Sequence, residues 1–218
     1  MLESDTFSNK RKIYISTLFI LFMAIKNTIF EALLNRGKVL SGAEIVELSK
    51  EYKEKFEIKT PKDLLKYLAR HKYIKRVFAR FYYINSFDER TRNFFELEDK
   101  EILFRVLNKL KIKWYVGLES AIYLQGKTWQ TPNRISIVNT KFSGLKKIFG
   151  LNVKFFKTKE MFFFGLKKMK TDKGTEYFYS DPAKTYIDRF YFKEVRHLTS
   201  VKNTKQYLTR YPKWVGKK

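Results

Sequence analysis

Apolar positions along the chain follow two periods, and the change from one to the other marks its elements. Leu64, Leu65, Leu68 and Ala69 return at helical spacing. They stand behind a Thr60-Pro61 pair that suits a helix start, because the Thr hydroxyl accepts from an orphan backbone N–H and Pro fits the first helical position. The opposite face of this predicted helix carries Lys62, Lys66, Tyr67 and Arg70. From Tyr73 to Asn85 the composition turns β-rich, in two short apolar runs broken at Ala79 and Arg80, which predicts a tight basic hairpin.

Upstream, the apolar run Ile13–Ile25 follows Lys10, Arg11 and Lys12. At 13 residues it is too short to span about 30 Å of hydrocarbon, and no small-residue cleavage site follows it. The expectation is the front of a buried helix continuing through Phe30, Leu33 and Leu34 and ending near Gly37, with a signal anchor as the alternative. Ser41 with Glu44 three residues later is the capping box of a second helix, running to about Tyr52 with Ile45, Val46 and Leu48 inward. Helix, helix, Thr-Pro helix, hairpin is the order of a winged helix-turn-helix domain. A helix about 10 Å across fits the major groove of DNA, and a hairpin beside it can follow the phosphates or enter the minor groove. The expected DNA-binding residues are Lys62, Lys66, Tyr67 and Arg70 on the helix and Lys75, Arg76 and Arg80 on the hairpin. The blander reading makes them the solvated side of amphipathic elements in a Lys-rich chain. Phe81 follows the turn where Gly is usual, and alternation does not assign Arg76 to either face.

Ser86–Asn93 is polar without periodicity and reads as a linker, so the expected domains are 1–90 and 91–218. Glu98–Leu110 resumes a helical pattern through Ile102, Leu103, Val106 and Leu110, and Tyr115–Leu124 reads as helix. Arg134–Val138, Leu151–Lys157, Met161–Lys168 and Tyr177–Tyr179 read as strands, the last after a polar turn at Thr171–Thr175. Asp181 and Pro182 open a helix through about Phe192. The fold class is therefore α+β: a winged helix followed by a mixed α+β domain.

Charge adds a partner class to this picture. The 218 residues hold 46 Lys and Arg against 22 Asp and Glu, a net charge of +24, so the surface potential favours polyanions. Residues 1–97 account for +7 of it and leave +17 for the rest. The more basic half is not the one with the groove-binding pattern, which points the second domain too toward a polyanion or an acidic partner. RNA binding by that half is the alternative function, and it requires exposed Phe and Tyr on the strands of Leu151–Tyr179 for base stacking. With no Cys and only His71 and His197, disulfides and thiolate metal sites are excluded and a histidine metal site is not expected. No cofactor is expected, and the chain is expected to be cytoplasmic and not membrane-bound.

One cluster invites an enzyme reading. On a helix, Asp181, Lys184 and Asp188 share a face by i, i+3 and i+7 spacing, and the two carboxylates could hold a metal with Lys184 as an electrophilic helper. The structural reading makes Asp181 a cap, Lys184 its ion-pair partner, and Thr185 and Asp188 internal hydrogen-bonding groups. It is favoured, because metal phosphoesterases need further carboxylates on strands and these strands are nearly free of them. There is no Gly-rich phosphate loop and no Gly-x-Ser-x-Gly elbow. The expectation is a protein that is not an enzyme.

Three blocks of the second half, WYVGLESAIYLQG, TPNRISIV and SDPAKTYIDRFYF, resemble the C-terminal domain of AbiEi-type antitoxins of type IV toxin–antitoxin systems. The residues that carry the likeness include Tyr115, Gly117, Leu118, Ser120, Ala121, Thr131, Pro132, Ile135, Asp181, Lys184, Thr185 and Asp188, and it spans about Lys111 to Phe192. The resemblance implies an N-terminal winged helix that binds double-stranded DNA and represses its own promoter, and a C-terminal domain that counters a nucleotidyltransferase-type toxin. On this likeness Gly117, Ser120, Pro132, Asp181, Lys184, Thr185 and Asp188 are structural or partner-binding positions.

Overall fold

A computed structural model describes residues 29–50, 60–194 and 204–216. The Ile13–Ile25 run and the expected end of the second helix near Tyr52 lie outside them. The protein is α+β and divides into two compact units, Met1–Glu96 and Leu97–Lys218. Among the described residues no helix is long and apolar enough to cross a membrane.

In the first unit residues 29–36 are helical (α1). They lead into β1 (Val39–Ser41), α2 (Gly42–Lys50), α3 (Pro61–Arg70), β2 (Ile74–Arg76), β3 (Phe81–Ile84) and α4 (Phe87–Arg92). β1 pairs with β3 and β3 with β2, all antiparallel. The strand β1 is an addition to the expected order: three residues between two helices carry too little alternation to announce a strand. Ser41 closes it and also caps α2, its Oγ accepting from Glu44 N at 3.2 Å while Glu44 Oε2 accepts from Ser41 N at 2.6 Å. Thr60 caps α3 by accepting from Asp63 N. Ile29, Phe30, Leu33, Leu40, Ile45, Leu64, Leu68, Ile74 and Ile84 form one core. Ala69, expected on the buried face, is exposed.

The hairpin turn needs no glycine because two other residues take its place. Ala79 and Arg80 sit at φ 48° and 67°, and Phe81 N donates to Phe78 O at 2.8 Å, the arrangement of a type I′ turn. Holding L-residues there costs about 1–2 kcal/mol each.

Ser86–Asn93, expected as a linker, contains α4, and a buried carboxylate explains why so polar a segment folds. Glu89 accepts from Ser86 N at 2.6 Å, Glu96 N at 2.7 Å, Lys38 Nζ at 2.7 Å and the Tyr83 hydroxyl. Arg90, on the same helix, lays its guanidinium over the rings of Tyr73 (4.2 Å) and Phe30 (4.7 Å). Burial alone would push the Glu89 carboxyl up, but the N–H of Glu96, the Lys38 ammonium, the N–H of Ser86 and the Tyr83 hydroxyl outweigh it and hold the pKa at about 2.

The second unit starts with α5 (Asp99–Lys109) and β4 (Trp114–Val116) and continues through α6 (Leu118–Leu124), β5 (Ile135–Asn139), β6 (Gly144–Ile148) and β7 (Leu151–Lys157). A 3-10 turn at Glu160–Phe162, β8 (Leu166–Lys170), β9 (Glu176–Ser180), α7 (Pro182–Tyr191) and α8 (Lys205–Leu208) complete it. The sheet order is β6-β7-β5-β4-β9-β8, with β5/β7 and β4/β9 parallel and the remaining pairs antiparallel. Two expectations change. Tyr115 and Val116 belong to a strand rather than the start of a helix, because a short apolar run buried on both faces has no period to distinguish it. Met161–Lys168 splits into the 3-10 turn and the start of β8. β4 shows the two faces directly: Trp114 Nε1 donates to Asn108 of α5 at 3.0 Å, whereas Tyr115 OH donates to Asp188 of α7 at 2.8 Å. By strand alternation α5 and α7 therefore cover opposite faces.

Two stability measurements test this account. Ala79→Asn with Arg80→Gly is expected to raise stability by about 1 kcal/mol, read as a higher midpoint in urea. Because the folded pKa of Glu89 lies below its ordinary value of 4.5, its contribution is complete above pH 4.5 and is lost as pH falls toward 2. Glu89→Gln is expected to flatten that acid limb and to cost about 2–3 kcal/mol at neutral pH.

Candidate functional site

On α3, Lys62, Lys66 and Arg70 stand four residues apart along one exposed edge, opposite Leu64 and Leu68. No described residue pairs with the side chain of Lys62 or Arg70. Lys66 has Asp63 at 3.9 Å, with both side chains more than half exposed, a contact worth little in water. Tyr67 is partly buried, its ring centroid 4.4 Å from that of His71.

The hairpin register resolves what alternation left open. Arg76 pairs with Tyr82 and Ile74 with Ile84, so Arg76 shares the strand face that packs on the helices and projects from its exposed end. Lys75 pairs with Tyr83 on the other face, where its ammonium lies 4.3 Å from the centre of the Phe95 ring. Arg80 is exposed at the turn, and its carbonyl accepts from Gly42 N at 2.9 Å, which ties the turn to the start of α2. Lys62, Lys66 and Arg70 thus lie along α3 and Arg76 and Arg80 on the ribbon, and Lys75 sits on the other strand face with Phe95. Strand period alone puts Lys75 and Arg76 on opposite faces; which of them shares the face that packs on the helices needed the pairing partner as well.

The Asp181–Asp188 block is a buried anchor. Asp181 caps α7, accepting from Lys184 N at 2.7 Å and from Tyr207 OH at 2.7 Å. Lys184 pairs with Asp188 at 2.6 Å, one helical turn on, rather than with Asp181 as expected. The side chains of Lys184 and Asp188 are 0% and 1% exposed, so both are removed from water together. Tyr115 OH and Tyr211 OH donate to Asp188 at 2.8 and 2.5 Å, Tyr211 OH also accepts from Lys184, and the rings of Phe164, Tyr211 and Tyr115 lie 4.9–5.2 Å from the ammonium. Burial pulls the Lys184 pKa down while Asp188 draws it back up. Burial and then Asp188 push both tyrosines up, so they stay protonated donors. Every oxygen of Asp188 is engaged by protein, and among the described residues no group of three or more His, Asp or Glu is placed to hold a metal. Tyr211 is the member of this cluster that spacing did not reveal, since it comes from a later segment with no pattern of its own.

The other motif residues also pack. A Cβ on Gly117 would lie 2.8 Å from Val138 Cγ2, so the turn from β4 into α6 requires glycine by close approach. Leu118 follows it at φ 54°, a strained position offset by complete burial of its side chain. Ser120 Oγ accepts from Ser136 N at 2.9 Å, joining α6 to β5. Thr185 Oγ1 meets Ser180 Oγ at 2.6 Å, Gln125 Nε2 at 2.9 Å and Asp181 O at 2.7 Å. Pro132 lines a polar cleft of about 510 Å³ with Glu119, Gln130, Asn133 and Arg189.

No protein-family model and no curated protein matches this sequence.

Asp188→Ala would leave the Lys184 ammonium buried without its counter-charge and is expected to cost about 3–5 kcal/mol, measured by urea unfolding. Gly117→Ala is expected to cost about 1–3 kcal/mol by overpacking, and truncating the neighbour in Gly117→Ala/Val138→Ala should return part of that loss. Because Val138→Ala carries its own cavity cost in the core, the loss is read against that single variant, and a Gly117→Ala cost as large in the Val138→Ala background as in the original chain would show that the clash is not with Val138.

Proposed function

We propose that this protein is a cytoplasmic transcriptional regulator that binds double-stranded DNA through a winged helix in its first unit, represses its own promoter, and carries an antitoxin-like second unit directed against a nucleotidyltransferase-type toxin. The observation that carries the DNA-binding reading is the juxtaposition in the first unit. α1, β1, α2 and α3 precede the β2–β3 ribbon, and the exposed edge of α3 presents Lys62, Lys66 and Arg70. Arg76 and Arg80 extend that set along the ribbon. An α-helix fits the major groove, and phosphate contacts from the flanking cations set its register. The antitoxin reading rests on the resemblance of the three motif blocks alone.

RNA binding by the second unit is less well supported. Phe155, Phe156, Phe162 and Tyr177 are buried, and Phe178 is the only exposed ring among the described residues of Leu151–Tyr179. A stacking platform asks for several rings in succession.

The test is Lys62→Ala/Lys66→Ala/Arg70→Ala in the full chain, titrated with the DNA upstream of its own reading frame and with a scrambled duplex. Affinity for the upstream fragment is expected to fall at least about tenfold and its preference over the scrambled duplex to vanish. Unchanged affinity and preference would remove α3 from the interface.

A further inference from the structure

One end of the sheet in the second unit gathers five exposed lysines: Lys111 and Lys113 before β4, Lys141 after β5, and Lys157 and Lys159 at the end of β7. The pairing brings these points together, since β7, β5 and β4 are adjacent. Lys157 is the cross-strand partner of Asn139, Asn139 that of Trp114, and Thr140 N donates to Lys113 O at 3.2 Å. Asn139, fully buried, holds the strand exits in place. Its Oδ1 accepts from Lys141 N at 2.8 Å and Phe142 N at 2.5 Å, and its carbonyl accepts from Thr158 N at 2.8 Å. Three strands about 4.8 Å apart make a rim roughly 10 Å wide. Lys157 shares the strand face of its partners Asn139 and Trp114, and Lys113, one residue before Trp114, falls on the other by alternation, so both sides of the rim are charged. Glu160 pairs with Lys113 at 2.8 Å, but both side chains are more than half exposed, and such a pair exchanges readily for another anion.

We infer that this rim is a second contact surface for the phosphodiester backbone of duplex DNA, independent of α3 and the ribbon. Each strand of duplex DNA carries one negative charge per roughly 3.4 Å of axis, so about three phosphates of the facing strand pass within a 10 Å span, fewer than the five ammonium groups that would neutralise them. The chemistry favours phosphate over an acidic protein. Interface cores between proteins are depleted in lysine and enriched in aromatic residues, whereas the exposed side chains of this rim are lysines, Glu160 and Met161, the half-buried Phe142 ring lying 5.6 Å from Lys141 Nζ. It favours backbone over bases, because point charges on flexible stems neutralise phosphates without the bidentate geometry that reads base edges. The rim goes beyond the regulator reading and requires no sequence preference.

The experiment uses the full chain with Lys113, Lys141, Lys157 and Lys159 all changed to Gln, titrated with a labelled duplex of arbitrary sequence over a series of salt concentrations. The slope of log K against log salt is expected to fall by about 3, since about three phosphates that are no longer neutralised take about 0.9 each from it. Affinity is expected to drop at least about tenfold near physiological salt. Lys141→Gln and Lys157→Gln singly should each lower the slope by about one. A charge-matched control, Lys127, Lys167, Lys173 and Lys193 to Gln, should leave it nearly unchanged. Equal losses in the two quadruple variants would overturn the rim in favour of a diffuse effect of net charge, and an unchanged slope in the rim variant would overturn it outright. The outcome is separable from that of the α3 variant, which removes preference between duplexes, whereas the rim variant weakens both duplexes alike and keeps their ratio.

Discussion

Each unit of this protein holds a buried carboxylate that distant segments must approach in order to satisfy it. In the first, Glu89 gathers Lys38 from the approach to β1, Tyr83 from β3, the start of α4 and the backbone of Glu96. In the second, Asp188 gathers Tyr115 from β4, Lys184 from its own helix and Tyr211 from the C-terminal segment. A buried charge without partners is costly, and one with several short hydrogen bonds is retained only if all of them are made. The two acids therefore act as tests of correct assembly that apolar packing alone would not impose.

That constraint is pronounced in a chain with 46 cations and 22 anions. Among the described residues most lysines are exposed, and their repulsion opposes compaction. Aromatic side chains packed against or within the cores bury large areas and accept cations on their faces. Arg90 over Phe30 and Tyr73, Lys75 over Phe95, and Lys184 among Tyr115, Phe164 and Tyr211 are three instances of the same solution. It also decides which cations stay available. Lys75 has its ammonium on a ring, whereas Lys62 and Arg70 on α3 meet no described residue.

The family-like motif residues of the second unit share this logic. Gly117 permits β4 to turn against Val138, Ser120 and Thr185 satisfy backbone and side-chain groups beneath α6 and α7, and Asp181 caps α7. They preserve a scaffold, and the exposed lysines of the unit lie elsewhere, on strand ends and edges.

Local signals in the chain were sufficient for several features, because the physics there is local. A Thr-Pro start defines α3, a Ser-x-x-Glu box defines α2, an Asp-Pro start defines α7, and the alternation of β5 and β7 reflects neighbours two residues apart. What needed the tertiary structure were features whose cause lies far along the chain. β1 exists because β3 offers it an edge, and α4 folds because Lys38 and Glu96 meet Glu89. Tyr115 and Val116 are strand because β5 and β9 flank them. Lys184 turns to Asp188 rather than Asp181 because Tyr207 already occupies Asp181 and Tyr211 completes the other pair. Period and composition encode which face of an element is apolar, but the partner that covers a face, and the charge that must be met there, are set only when segments tens of residues apart come into contact.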